Sequence, residues 1–158
     1  MKMIGTYTAR GSLSEDSSEA GALGKIILFD GRFDTAFKVT DFRVWGASTG
    51  GSTTGDVVGK LATSPNCETA PGDFFNADDV REIAWSQNSA STDSGAGGGM
   101  GERIIDHDNL VVEDLYVYIR GQQDGVKVNY IITMEKYDIS EWEGALSMAK
   151  DRSAEPNV

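Results

Sequence analysis

Apolar and polar positions alternate most regularly between Leu110 and Tyr137. The first run, Leu110 to Arg120, puts Leu115, Val117 and Ile119 on one side of a strand. The second, Val126 to Tyr137, does the same for Val128, Tyr130, Ile132 and Met134. Between them Gly121-Gln122-Gln123-Asp124-Gly125 is polar and bounded by glycine, which predicts a β-hairpin. Period-two alternation with one apolar side describes antiparallel strands with one buried face. Leu115, Val117, Ile132 and Met134 are therefore the expected centre of the core.

Weaker patterns surround this pair. Ile4, Tyr7 and Ala9 predict a short strand or arm within residues 1–10, and residues 11–22 are small and polar, so 1–22 reads as a flexible N-terminal segment. Lys25 to Phe29 is a short continuous apolar run, as in a strand covered on both faces, and Asp30-Gly31 marks a tight turn. From Phe33 to Trp45 the alternation has two phases: Phe37 and Val39 share one parity, Phe42 and Val44 the other. The switch near Asp41 predicts a bulge at which the strand leaves one sheet for another. Gly46 to Gly55 is low-complexity loop. Val57, Val58 and Leu61 predict a short strand, and Ser64 to Asn76, with Pro65 and Pro71, is irregular. Another short strand falls within Ala77 to Trp85, followed by a glycine-rich loop from Ser86 to Gly101. Arg103-Ile104-Ile105-Asp106 leads into the central pair. Ser140 and Glu143 have the spacing of a capping box, and Trp142, Ala145, Leu146 and Ala149 recur at helical intervals. One helix is predicted over 140–151, with a polar tail from Arg152 to Val158. About seven or eight strands with regular turn punctuation predict an all-β fold, an antiparallel β-sandwich with one short C-terminal helix.

Length and charge narrow the function classes. At 158 residues the chain fits one domain, 1–158, which can bury a core without metal or disulfide staples. It carries 25 acidic and 14 basic side chains, a net charge of −11. That balance disfavours nucleic-acid phosphates and anionic membrane surfaces and favours cations or basic partners. The single cysteine, Cys67, excludes an internal disulfide and a four-cysteine zinc site. The N-terminal residues lack a signal-peptide apolar run, and no segment approaches the roughly 18 apolar residues that span a bilayer. A soluble protein made in a cytoplasm is expected.

Candidate chemistry is sparse. His107, the only histidine, sits in Asp106-His107-Asp108-Asn109. It reads either as an acid–base or metal group needing partners from elsewhere or as part of a solvated turn whose Asp and Asn side chains bond their own backbone. Asp73, Asp78 and Asp79 could join Asp106 and Asp108 to hold Ca²⁺, although the spacing of an EF-hand loop is absent. The alternative is acidic loops solvated at the rim of the sandwich. Glu68 beside Cys67 should raise the thiol pKa and make it a poor nucleophile. No nucleophile elbow or zinc-binding helix appears. Gly97-Gly98-Gly99-Met100-Gly101 lacks the Gly-Lys-Ser/Thr ending of a nucleotide loop. Tyr116, Tyr118 and Trp142 read either as a sugar-stacking surface or as core and interface aromatics. No residue is assigned as catalytic, cofactor-binding or metal-ligating, and no cofactor is expected.

Several stretches resemble small β-sandwich virion proteins of marine bacteriophages. They are Ile105-Asp106, Asn109 to Val117, Asn129 to Ile132, Met134 to Tyr137, and upstream Asp34 to Val39 and Arg81 to Trp85, in the same order. The resemblance covers about two thirds of the chain, and residues 11–22 and 46–55 lie outside it. It implies a jelly-roll-like fold and a structural, non-enzymatic role in a virion, as a capsid or capsid-decorating protein that forms a symmetric homo-oligomer. The partners it implies are other copies of the chain and other virion proteins, with no nucleic acid and no membrane. The alternative expectation is a lectin-like β-sandwich module that uses acidic loops and aromatics.

Overall fold

In order along the chain, the computed structural model contains β1 (Lys2–Ser14), β2 (Ala22–Ile26), β3 (Thr35–Gly46), β4 (Val57–Ala62), β5 (Glu82–Ser89), β6 (Met100–Ile105), β7 (Leu115–Gly121), β8 (Lys127–Asp138) and the helix α1 (Glu141–Ser153). It describes residues 1–14, 21–47, 56–67, 74–89, 100–121 and 127–153. The strands form two antiparallel sheets, one in the order β1-β8-β3 and the other β2-β7-β4-β5-β6. This is a β-sandwich with jelly-roll winding. The first strand pairs with the eighth, the second with the seventh and the fourth with the fifth, as when one long hairpin is rolled into two layers. The third and sixth strands depart from that winding. β6 pairs with β5, and β3 meets β6 across the sandwich edge, where Arg103 Nε lies 2.6 Å from Asp41 Oδ1.

The winding corrects the predicted hairpin. β7 and β8 share no ladder: β7 lies between β2 and β4, and β8 is the centre of the other sheet. The two strands lie in different layers, about 10 Å apart; residues 122–126 between them lie outside the described residues. Alternation identifies a buried face but not what covers it, and two one-sided strands are satisfied as well across a core as side by side. The faces themselves hold. Leu115, Val117 and Ile119 from β7 oppose Val128, Ile132 and Met134 from β8, and all six are buried with Phe42 and Leu61 in the main core. Each such side chain contributes on the order of 1.5–3 kcal/mol on burial.

The bulge in β3 is present, with the register against β8 shifting between Val39 and Asp41. β3 nevertheless pairs with β8 along its whole length and does not change sheets. The extra residue re-phases the strand, so Phe37, Val39, Phe42 and Val44 all reach the same core. The close approach of the layers explains Gly59, where a Cβ would lie 2.6 Å from Val44 Cγ1.

Other boundaries move. Residues 11–14, expected in the flexible segment 1–22, continue β1, because β8 is long enough to pair through Ser14 and Leu13 packs on the core. Residues 15–20 lie outside the described residues. The run Lys25 to Phe29 is not covered on both faces: β2 ends at Ile26 and Ile27 is exposed. The expected strand within 77–85 begins at Glu82 and runs to Ser89, and the loop expected over 86–101 is shortened at both ends, since residues 86–89 continue β5 and Met100 and Gly101 open β6. Gly97 to Gly99 lie outside the described residues.

Helix α1 starts as predicted. Ser140 Oγ accepts from the Glu143 N–H (3.2 Å), and Glu143 Oε2 accepts from the Ser140 N–H (2.9 Å). The helix docks through Gly144, where a Cβ would lie 2.2 Å from the Phe33 carbonyl oxygen, and through Ser147 Oγ donating to the Leu110 carbonyl (3.0 Å). Among the described residues no helix is long and apolar enough to cross a membrane.

Candidate functional site

The outer face of the five-stranded sheet carries a second, polar core. Lys60 and Trp85 are opposed on β4 and β5, and Tyr118 of β7 opposes Lys60 from the other side, so alternation sends all three away from the main core. Segments 63–67 and 74–82 supply the groups that cover them. Lys60 is 1% and Glu82 0% exposed at the side chain, and the two form a hydrogen-bonded ion pair. Lys60 Nζ also donates to the Cys67 carbonyl (2.9 Å) and lies 5.1 Å and 5.2 Å from the ring centroids of Phe74 and Tyr118. The second Glu82 oxygen, Oε2, accepts from the Asn76 N–H (2.8 Å) and Trp85 Nε1–H (2.9 Å). Tyr118 OH donates to the Ser64 carbonyl (2.9 Å) and accepts from the Cys67 N–H (3.1 Å). A buried charge is tolerable only when paired and hydrogen-bonded, and both conditions are met. The network fastens the 63–67 and 74–76 backbone to the sheet and fixes the Trp85 indole.

Beside it lies an apolar groove of about 340 Å³, lined by Phe75, Ala77, Trp85, Gln87, Glu102 and Ile104. Phe75 packs on Phe74 at 5.3 Å, so one wall rests on the ring above Lys60. Gln87 Nε2 donates to Glu102 Oε2 (3.1 Å) on the neighbouring strand, and Ile104 is 66% exposed. The groove offers a rigid aromatic edge, an aliphatic side chain and a polar pair. A groove of this size and lining is of the kind that could accept an apolar side chain or a sugar ring.

The residues singled out by sequence are scattered. Cys67 is buried, and its thiol is pushed up to about 12, by burial first and then by the nearby Asp79 and Glu82 carboxylates, outweighing Arg81 and Lys60. The expectation of an inert thiol holds, with burial as its main cause; Glu68 lies outside the described residues. Tyr118 is 4% exposed and committed to the loop, so it cannot serve in a stacking surface with Tyr116. Tyr116 is half-buried under Lys25, 5.9 Å from its ring centroid, and the Trp142 side chain lies outside the described residues.

The acidic loops are separate structures. Asp79 holds Arg81 through two side-chain hydrogen bonds (2.8 and 2.6 Å), which keep the Asp79 carboxyl below the ordinary carboxylate range. The Asp106 side chain accepts from the Asp108 N–H (3.0 Å), closing the turn on which His107 is exposed. Asp106 and Asp108 line a cavity of about 650 Å³ against α1, with Glu143 and Lys150. Among the described residues no group of three His, Cys, Asp or Glu side chains is placed to hold a metal ion, and Asp73 lies outside them.

The reading of 106–109 as a turn whose Asp and Asn side chains bond their own backbone holds, since Asn109 Nδ2 donates to the Asp106 carbonyl, but it missed what else Asn109 does. Its buried amide accepts from the Val39 N–H (2.8 Å) and donates to the Val39 carbonyl (3.1 Å), standing in for a strand beside the bulge. It also missed the Lys60–Glu82 pair, because a lysine in alternation with apolar residues has the pattern of an exposed strand face. Comparison of the chain with protein-family models, curated proteins and solved structures finds no match.

Proposed function

We propose that this chain is a structural subunit of a virus particle, a capsid or capsid-decorating protein that assembles as a symmetric homo-oligomer. The observation that carries this reading is the placement of exposed apolar side chains at both lateral edges of the sandwich. Met3, Ile4, Tyr7 and Leu23 lie on the β1/β2 edge, and Trp45, Phe75 and Ile104 lie on the β3/β6 side. Two separate apolar surfaces give each copy two places for neighbours to cover, as a ring or shell requires. The jelly-roll winding is one that capsid subunits use, and the resemblance to phage virion proteins supplies the particle.

Sedimentation velocity tests the assembly step. At a net charge of −11 copies repel, so oligomers should grow between about 0.05 M and 0.5 M salt as the screening length shrinks. A chain that stays monomeric at both salt concentrations and at high protein concentration overturns the reading.

A lectin-like reading is favoured by one observation, the groove in which Glu82 fixes Trp85 beside Phe75. It predicts retention of a monomer on a glycan array, abolished by Trp85→Ala. Retention that survives Trp85→Ala removes the groove from consideration.

A further inference from the structure

β1 is held to the sandwich mainly by its backbone. Its register on β8 runs from Lys2 opposite Asp138 to Ser14 opposite Lys127, and β8 is its only ladder partner among the described residues. Yet none of its thirteen residues is buried. Ala9 and Leu13 rest half-buried against the main core, and Tyr7 meets the Phe37 ring edge-on at 6.2 Å. Its sheet neighbours differ: β3 buries Val39, Phe42 and Val44, and β8 buries Val128, Ile132 and Met134. An element with few buried apolar contacts is among the first to open.

The edge that β1 covers is specific for it. Without β1, β8 would present a long row of N–H and C=O groups, a template for another strand. The Tyr130 ring lies over Gly11, where a Cβ would come within 2.7 Å of the hydroxyl oxygen, so this pair keys the register. Lys2 stands opposite Asp138 at the end of the ladder. Residues 1–14 carry Lys2 and Arg10 and no acidic residue, which leaves 12 basic and 25 acidic side chains, a net −13, in residues 15–158. A basic strand laid on an acidic body is complementary whichever copy owns the body.

We propose that β1 is an exchangeable arm: in an assembly it leaves its own β8 and pairs with β8 of a second copy, in the same antiparallel register. Exchange of this kind needs no new complementary surface, because the closed chain already contains both halves of the contact. In dilute solution each β8 keeps its own β1, which is always nearest, and exchange competes as copies become concentrated. Between β1 and β2 the sequence is Glu-Asp-Ser-Ser-Glu-Ala, residues 15–20, and three carboxylates in six positions repel less in a straight connection than in a return. Reciprocal exchange closes as a dimer; passed on from copy to copy, it links a ring or shell. This rests on the subunit reading and names the element that ties copies together.

Disulfide trapping reads which copy each β1 is paired with. Thr8 and Thr133 are directly opposed, and opposed residues of antiparallel strands have Cα atoms about 4.5–5.5 Å apart, within disulfide range. The native Cys67 is buried and does not compete. Thr8→Cys and Thr133→Cys chains, mixed, assembled at high salt and mildly oxidised, should give a disulfide-linked dimer with one chain of each kind. The double variant Thr8→Cys/Thr133→Cys should close within single chains when dilute and link chain to chain when assembled. Exchange in either direction requires a whole ladder to open. Wild-type oligomers diluted into low salt should therefore dissociate far more slowly than the milliseconds to minutes of surface docking. Assemblies that give no mixed dimer, or that fall apart as fast as they are diluted, overturn the exchange and leave the subunit reading standing. A wild-type chain that never self-associates overturns both.

Discussion

Removing one partner of the Lys60–Glu82 pair should be among the most damaging single changes available, and the two removals should differ. Glu82 without Lys60 still receives the N–H groups of Asn76 and Trp85. Lys60→Met should therefore cost near the lower end of the range for breaking a buried pair, about 3 kcal/mol. Lys60 without Glu82 keeps only the Cys67 carbonyl and two ring faces, and the Asn76 and Trp85 donors lose their acceptor. Glu82→Leu should approach about 5 kcal/mol. At about 2–4 °C per kcal/mol for a chain of this size, these are losses in Tm of about 6–12 °C and 10–20 °C. The double variant Lys60→Met/Glu82→Gln removes both charges and keeps a carbonyl for the two donors, so it should lie within about 2 kcal/mol of wild type. Urea melts followed by circular dichroism give all three values. A Lys60→Met variant within about 0.5 kcal/mol of wild type would place the ammonium in water and refute the reasoning.

The remaining expectations concern the main core, acid and the thiol. Leu115→Ala should cost about 2–5 kcal/mol in the same melts, and an unmoved midpoint contradicts its place between the sheets. The Asp79 carboxyl is held low by Arg81; at Asp114 burial pushes upward but is outweighed by Lys25 and the N–H groups of Phe29 and Leu28. Both folded pKa values lie below the unfolded value of about 3.9, so their stabilisation is present above that pH and lost as pH falls from it through the lower folded values. A Tm that drops no less steeply below about pH 4 in Asp79→Asn than in wild type argues against Asp79. For Cys67 the shift is upward, so stability is retained below the ordinary thiol range near about 8.5 and lost above it. A thiol reagent at about pH 8 should label the protein only after urea is added; rapid labelling of the native chain contradicts the burial.

Local patterns made the layers legible but not their connections. The one-sided faces of β7 and β8, the bulge before Asp41 and the Ser140–Glu143 cap each follow from a short-range rule, and each is present. The pairing of β7 with β2 and β4 depends on partners far away in the chain, which the period of two does not encode. β1 was legible only as a short strand or arm within residues 1–10. Its continuation over Gly11 and Ser12 to Ser14 has little strand character of its own and forms because the long β8 offers it a partner. The Lys60 network is the extreme case. Its three principal side chains, Lys60, Glu82 and Tyr118, come from three strands, and only the covering segments turn an outer face into an interior.

Immunogold electron microscopy of particles purified from the native source, with an antibody raised against this chain, tests the central claim most directly. A structural subunit should label intact particles in a regular, repeated pattern and co-purify with them in many copies. Particles that carry no label and contain none of the chain would contradict the account.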